Sequence, residues 1–155
     1  MLEKIVSGGQ TGVDRAALDA ALALDFACGG WCPLGRKAED GVIADKYPLE
    51  ETVSSDYEIR TARNVEYSDG TIIFTRGKPT GGTALTVQFT DQYEKPCLVL
   101  DLKREEDKVI SLLNEWILEN RIKVLNVAGP RESKKPGIYR EVFEIVKELI
   151  ALNLL

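Results

Sequence analysis

The sequence predicts an α/β fold: a Rossmann-like, doubly wound parallel sheet of about five strands with helices on both faces, in one domain spanning residues 1–155. Three observations predict it. Short apolar runs alternate along the chain with longer helical stretches. The runs lack the period-two alternation of a sheet with one wet face, so each reads as a strand covered on both sides. Three of the strand-to-helix turns are rich in glycine and hydroxyl residues, as expected at the ligand-binding edge of such a sheet. A chain of 155 residues is long enough for one substantial core, and no linker, internal repeat or low-complexity segment divides it. Right-handed crossovers then fix the winding.

Taken in order, a strand is expected over residues 3–7, carried by Lys4-Ile5-Val6. After Gly8-Gly9-Gln10-Thr11-Gly12, a helix over 12–25 is so rich in Ala and Leu that burial on more than one side is expected. Arg15 and Asp19 are four apart in it, the spacing of an exposed ion pair. Residues 26–33 read as a weak second strand ending at Pro33, and 34–51 as a long irregular excursion with a short helical turn near 38–45. Ser55 and Glu58 have the spacing of a capping box for a helix reaching residue 66. Arg60, Arg63 and Asn64 share one face of that helix, placed to tie it to the sheet edge or to a partner chain. The β-branched run 71–75 is a buried strand, followed by a small-residue turn over 77–83 and a helix over 83–93. A strand over 96–101 leads to an amphipathic helix over 105–120, with Val109, Leu112, Leu113, Trp116 and Ile117 on one face. The last strand is 123–127, the third special loop 129–137, and the last helix 138–152.

Composition narrows the function. A net charge of −5 argues against a non-specific nucleic-acid partner. There is no histidine, which removes the commonest general base and the commonest zinc ligand, and no protein-ligated metal is expected. Three cysteines, Cys28, Cys32 and Cys97, form no CxxC pair and fit reduced thiols. No apolar run approaches the ~20 residues that span a bilayer, so no membrane is expected. The N-terminal residues read as a strand rather than a signal peptide, and the expected location is the cytoplasm.

In an open parallel sheet all strand-to-helix loops meet at one edge. The loops 8–12, 79–83 and 129–137 should therefore converge, bringing helix N-termini, small residues, hydroxyls and cations together. That set suits an anion. The candidate binding residues are Gly8, Gly9, Gln10, Thr11 and Gly12, with Asp14 and Arg15 behind them. Thr75, Thr80, Gly81, Gly82, Thr83 and Thr86 come from the second loop. Arg131, Glu132, Ser133, Lys134 and Lys135 come from the third. Arg36 and Lys37, in the long excursion, could reach in from a lid or a neighbouring subunit, or stay in solvent. Taken singly, each motif has a plainer reading: Gly8-Gly9 as a tight turn, Lys134-Lys135 as a solvated pair, Trp31 as core. The first loop is not a Walker A loop, because no Gly-Lys-Ser/Thr follows it. Nor is it a dinucleotide fingerprint, because the glycines fall at 8, 9 and 12 and no acid ends the second strand. No catalytic set is recognisable.

Taken together, Ser7-Gly8-Gly9-Gln10-Thr11-Gly12-Val13-Asp14-Arg15, Gly29-Gly30-Trp31-Cys32-Pro33-Leu34-Gly35-Arg36, Ala38-Glu39-Asp40-Gly41, Arg60-Thr61-Ala62-Arg63-Asn64-Val65, Thr80-Gly81-Gly82-Thr83-Ala84-Leu85-Thr86 and Asn126-Val127-Ala128-Gly129-Pro130-Arg131-Glu132-Ser133 resemble the molybdenum cofactor carrier-like family. The resemblance covers nearly the whole chain in order. It implies a Rossmann-like fold, a nucleotide- or phosphate-type pocket over the sheet edge, and a homo-oligomer, dimer or tetramer. The carrier-like family belongs to a wider group with the lysine-decarboxylase-like proteins and the cytokinin phosphoribohydrolases. Those enzymes place an acidic pair shortly after the Gly-Gly of the second loop, whereas Thr83-Ala84-Leu85-Thr86-Val87-Gln88 has none. The expected function is binding of a phosphorylated heterocycle, either a nucleotide or a molybdopterin-type cofactor. The alternatives are an N-glycosidic phosphoribohydrolase-like enzyme, with Asp14, Glu39, Asp40 or Glu132 as acid or base, and a nucleotide-sensing interaction module.

Overall fold

A computed structural model describes residues 1–105 and 107–155. Five strands form the central sheet: β1 (Lys4–Val6), β2 (Cys28–Gly29), β7 (Gly70–Thr75), β8 (Cys97–Asp101) and β9 (Val124–Ala128). Their order is β2-β1-β9-β7-β8, and every pairing is parallel. Asn126 of β9 stands beside Val6 of β1 and Thr71 of β7. The three central strands, β1, β9 and β7, therefore run side by side, and each is followed by one of the glycine-rich loops.

Five helices cover the sheet: α1 (Val13–Ala23), α2 (Tyr57–Glu66), α3 (Gly81–Gln92), α4 (Val109–Glu119) and α5 (Ile138–Asn153). Helix α5 packs against α1 and α4, and α2 packs against α3, giving one layer on each face. Ile72, Phe74, Leu125 and Val127 of the strands meet Ala16, Ala20, Val142, Val146 and Leu149 of the first layer in one buried cluster. The alanines of α1 permit its close approach to α5. Leu18, on the other side of α1, joins Cys32, Ala38, Ile43, Tyr47 and Leu49 in a second cluster beneath the excursion. Helix α1 is thus buried on two sides, as its composition predicts.

Five local expectations differ from the structure. Residues 26–33 hold two strands, because Gly30, at φ +128°, turns the chain between β2 and β3 (Trp31–Cys32), and β3 pairs with β6 (Glu50–Glu51) in a separate small sheet. The helical turn near 38–45 is instead a hairpin, β4 (Lys37–Ala38) with β5 (Gly41–Val42), turning at Glu39 and Asp40, with Gly41 at φ +113° opening the second strand. The capping box does not form: α2 begins after Asp56 without a side-chain cap, and Ser54 Oγ accepts the Asp56 N–H. Arg15 does not pair with Asp19. It reaches across to Asp40 on the hairpin, while Asp19 accepts the hydroxyls of Tyr47 and Tyr139. The helix expected from residue 105 starts at Val109; Glu106 lies outside the described residues.

Candidate functional site

The three loops meet over the C-terminal ends of β1, β9 and β7 and enclose an open cavity of about 500 Å³. Each loop brings different chemistry to it.

The β1–α1 loop is built by close approach. Gly12 has φ +77°, and a Cβ there would fall on Pro130 O and 2.7 Å from Glu132 N. The first and third loops are therefore stacked backbone on backbone, with the Val13 N–H on Pro130 O at 3.3 Å. A Cβ on Gly8 would run into the guanidinium of Arg60, and one on Gly9 into Leu49 and Ile43. These glycines make room for protein neighbours, and neither they nor Thr11 line the cavity. Thr11 Oγ1 donates to Glu39 at 2.6 Å. Gln10 of this loop and Asp14 in the first turn of α1 line the cavity, and both are buried. Gln10 Oε1 accepts the N–H groups of Thr11 and Glu39, at 3.0 and 2.9 Å. Its Nε2 is buried without a partner. Asp14 Oδ2 accepts from Arg60 Nη1 at 3.1 Å. Burial pushes the Asp14 carboxyl above its usual range, although Arg60 and the Gln10 N–H pull it down.

The β7–α3 loop supplies Thr75, Thr80, Gly81, Gly82, Thr83 and Thr86 to the lining. Thr75 donates to Gly77 O and Thr86 to Gly82 O, while Thr80 O accepts the N–H groups of Thr83 and Ala84. The N–H groups of Gly81 and Gly82 find no acceptor among the described residues and open α3 toward the cavity. The Lys134 ammonium stands 3.3 Å from where a Cβ of Gly81 would be. A lysine and a helix N-terminus with no carboxylate between them make an anion-seeking corner. The β9–α5 loop adds Arg131, Lys134 and Lys135 to the lining.

The remaining candidates brace the site from outside the cavity. Glu132 accepts the N–H groups of Gly137 and Tyr139, at 2.7 and 2.9 Å, and so caps α5. Ser133 Oγ and Thr11 Oγ1 both donate to Glu39, joining the first and third loops through the hairpin. Arg15 holds Gly9 O with two nitrogens and Asp40 with a bidentate pair, and that hydrogen bonding keeps the Asp40 carboxyl below its usual range. Arg36, at φ +54°, gives its guanidinium to the carbonyls of Ile43, Ala44, Tyr47 and Leu49 and pins its own excursion. Lys37 lies 4.6 Å from the ring centroid of Tyr57, at the rim. Of the four candidate acids, Asp14 alone lines the cavity; Glu39, Asp40 and Glu132 are engaged elsewhere.

Sequence reasoning missed one wall entirely. Tyr57, Glu58, Arg60 and Thr61 of α2 line the cavity, as do Lys78 and the α3 residues Ala84, Leu85 and Gln88. Arg60 and Arg131 both approach the Tyr57 ring, with centroid distances of 5.4 and 5.6 Å. One signal was available: the stretch Tyr57–Glu66 is poor in apolar residues for a helix packed on a sheet, and in the structure it buries Asn64 and Val65 alone among its residues. Asn64 bridges the N–H and C=O of Trp31, and Arg63 lies over Trp31 and Tyr67, which anchors α2 to the edge as the shared face predicts. With the charge of Arg60 cancelled by Asp14, the cavity keeps Lys78, Arg131, Lys134 and Lys135 against the single exposed carboxylate of Glu58. No group of three potential metal ligands occurs among the described residues, and no helix of the described residues is long and apolar enough to cross a membrane.

Comparison with known proteins adds two findings. Residues 5–150 match the circularly permutated YpsA SLOG family. A crystal structure of a "Putative molybdenum carrier protein" from Syntrophus aciditrophicus SB is 47% identical, with 96% of this chain and 95% of that chain covered and a TM-score of 0.94. No curated protein matches the chain.

Proposed function

The chain belongs to the circularly permutated YpsA SLOG family, and on that premise we propose that it binds a phosphorylated small molecule, a nucleotide or a molybdopterin-type cofactor, in the cavity at the sheet edge. The observation that carries the reading is the corner where the free N–H groups of Gly81 and Gly82 meet the Lys134 ammonium. Helix N-terminal N–H groups and a lysine recognise phosphate oxygens by the same geometry that makes them costly to leave facing each other. The cavity volume suits a ligand of mononucleotide or pterin size. The resemblance of the whole chain to a protein described as a molybdenum carrier supports the pterin member of the pair. For that cargo the residues present fit its phosphate, and the orphaned Gln10 amide offers a donor to the remainder of the molecule. The same reading makes the protein a cytoplasmic homo-oligomer, a dimer or tetramer, which sedimentation velocity tests.

The test is thermal unfolding against inorganic phosphate, nucleoside monophosphates, molybdate and molybdopterin. A ligand at a hundredfold excess over Kd adds about 2.7 kcal/mol of apparent stability. Failure of every anionic ligand to raise Tm refutes the proposal.

A further inference from the structure

Two donors in the cavity wall have no acceptor. Gln10 Nε2 and Arg60 Nε are the buried side-chain nitrogen atoms without a partner among the described residues. Both residues line the cavity. The Gln10 side chain cannot resolve its own mismatch by flipping. Its Oε1 holds two backbone N–H donors, from Thr11 and Glu39, and a flipped amide would set NH₂ against both. The Nε2 donor is thus fixed. Asp14 holds Arg60 in the wall: its carboxylate accepts Arg60 Nη1 at 3.1 Å.

Orphaned donors call for an acceptor, and the charge here says which kind. Asp14 cancels Arg60, so this end of the cavity is locally neutral and a buried carboxylate stands where a phosphate would be repelled. Lys134 stands beside the open N–H groups at the start of α3, and Lys78, Arg131 and Lys135 also line the cavity without a carboxylate partner such as Asp14 among the described residues. We propose that Gln10 and Arg60 read a ring carbonyl oxygen, the lactam oxygen shared by hypoxanthine, guanine and pterin rings, while the phosphate sits at the Gly81–Lys134 corner. Gln10 is then a specificity-determining residue that favours oxo over amino heterocycles. The inference rests on the proposed phosphate-ligand reading and adds an orientation and a ring class to it.

Inosine and adenosine monophosphates test it, because at ring position six one presents a carbonyl and the other an amino donor. Kd values for both, and for inorganic phosphate, are measured by calorimetry on the wild type and on Gln10→Glu. The Glu variant can keep one oxygen on the Thr11 and Glu39 N–H groups while turning the other, an acceptor, toward the ligand. The wild type should prefer the inosine nucleotide by about tenfold or more, as a site built for one hydrogen-bond pattern rejects its opposite. Gln10→Glu should abolish or reverse that ratio; reading a ratio removes any general weakening of the pocket. The side-chain ¹⁵N resonance of Gln10 should shift with the inosine nucleotide and stay in place with phosphate alone. Equal wild-type affinities, or an unchanged ratio in Gln10→Glu, overturn this inference and leave phosphate binding standing. Absence of binding by phosphate, by both nucleotides and by molybdopterin overturns the phosphate reading and this inference together.

Discussion

Replacing Arg60 with methionine should expose how strongly the cavity wall depends on one buried ion pair. The Asp14 side chain is 5% exposed and that of Arg60 14%, with 3.1 Å between Nη1 and Oδ2. Methionine roughly keeps the volume over Gly8 and removes the charge, leaving a buried carboxylate with no counter-ion. Breaking such a pair from one side costs about 3–5 kcal/mol. At about 2–4 °C per kcal/mol for a domain of this size, Tm should fall by roughly 10 °C near neutral pH. The loss must depend on pH. The folded-state pKa of Asp14 is already raised by burial, so its stabilising form is the protonated one, present below the unfolded value and lost as pH rises through the folded value. Without Arg60 the folded value rises further, so Arg60→Met should regain stability on acidification, by at most about 1.4 kcal/mol per pH unit, inside the window between the two values. The double variant Asp14→Asn/Arg60→Met removes both charges and should recover most of the loss at neutral pH. Urea denaturation followed by tryptophan fluorescence at several pH values measures all three. A loss in Arg60→Met that is below about 1 kcal/mol, or that Asp14→Asn fails to relieve, refutes an uncompensated buried charge as the cause.

Four further outcomes follow from the same geometry. Gly12→Ala meets the backbone of Pro130 and Glu132 at a positive φ and should cost about 2 kcal/mol or more in chemical denaturation. Gly82→Ala, with open space around the new methyl, should leave stability unchanged or raise it by about 0.5–1 kcal/mol while weakening phosphate binding, a split that denaturation and calorimetry read separately. Lys134→Ala should weaken phosphate binding by about tenfold and flatten its salt dependence, with stability within about 0.5 kcal/mol of wild type. Burial raises the pKa of all three cysteine thiols, and Cys32 is fully enclosed, so a thiol-reactive dye at neutral pH should label the native protein slowly and the unfolded protein fast.

The architecture was legible in the sequence because it follows from local rules. Apolar runs without alternation read as strands covered on both faces, and helices between them favour parallel pairing; β7 lies where Thr71-Ile72-Ile73-Phe74 place it and is buried throughout, whereas β8, expected as a buried strand, is the edge strand of the sheet and leaves Val99 exposed. The convergence of three loops followed from topology, which sends every strand-to-helix turn to the same edge. Contacts between distant segments could not be read this way. Arg15 has a correctly spaced partner in Asp19, yet a bidentate grip on Asp40 and two bonds to Gly9 O outcompete one exposed helical pair, and Asp19 is held by two tyrosines from elsewhere in the chain. Arg36 looks like a lid residue in sequence and is a brace in space, because four carbonyls of its own excursion surround it. The glycines at 8, 9 and 12 read in the sequence as ligand-binding positions, but in space they make room for Arg60, Leu49, Ile43 and the third loop, and none of them lines the cavity. The α2 wall was the largest omission. Arg60 enters the cavity because α2 lies across the first loop and Asp14 offers a charge beneath it, an arrangement set by residues 46 apart. Sequence therefore determined which edge of the sheet carries the cavity and that lysines, an arginine and threonine hydroxyls gather there. Tertiary packing alone decided which polar groups face that cavity and which are consumed in building it, since a hydrogen bond goes to the nearest partner in space whatever the separation along the chain.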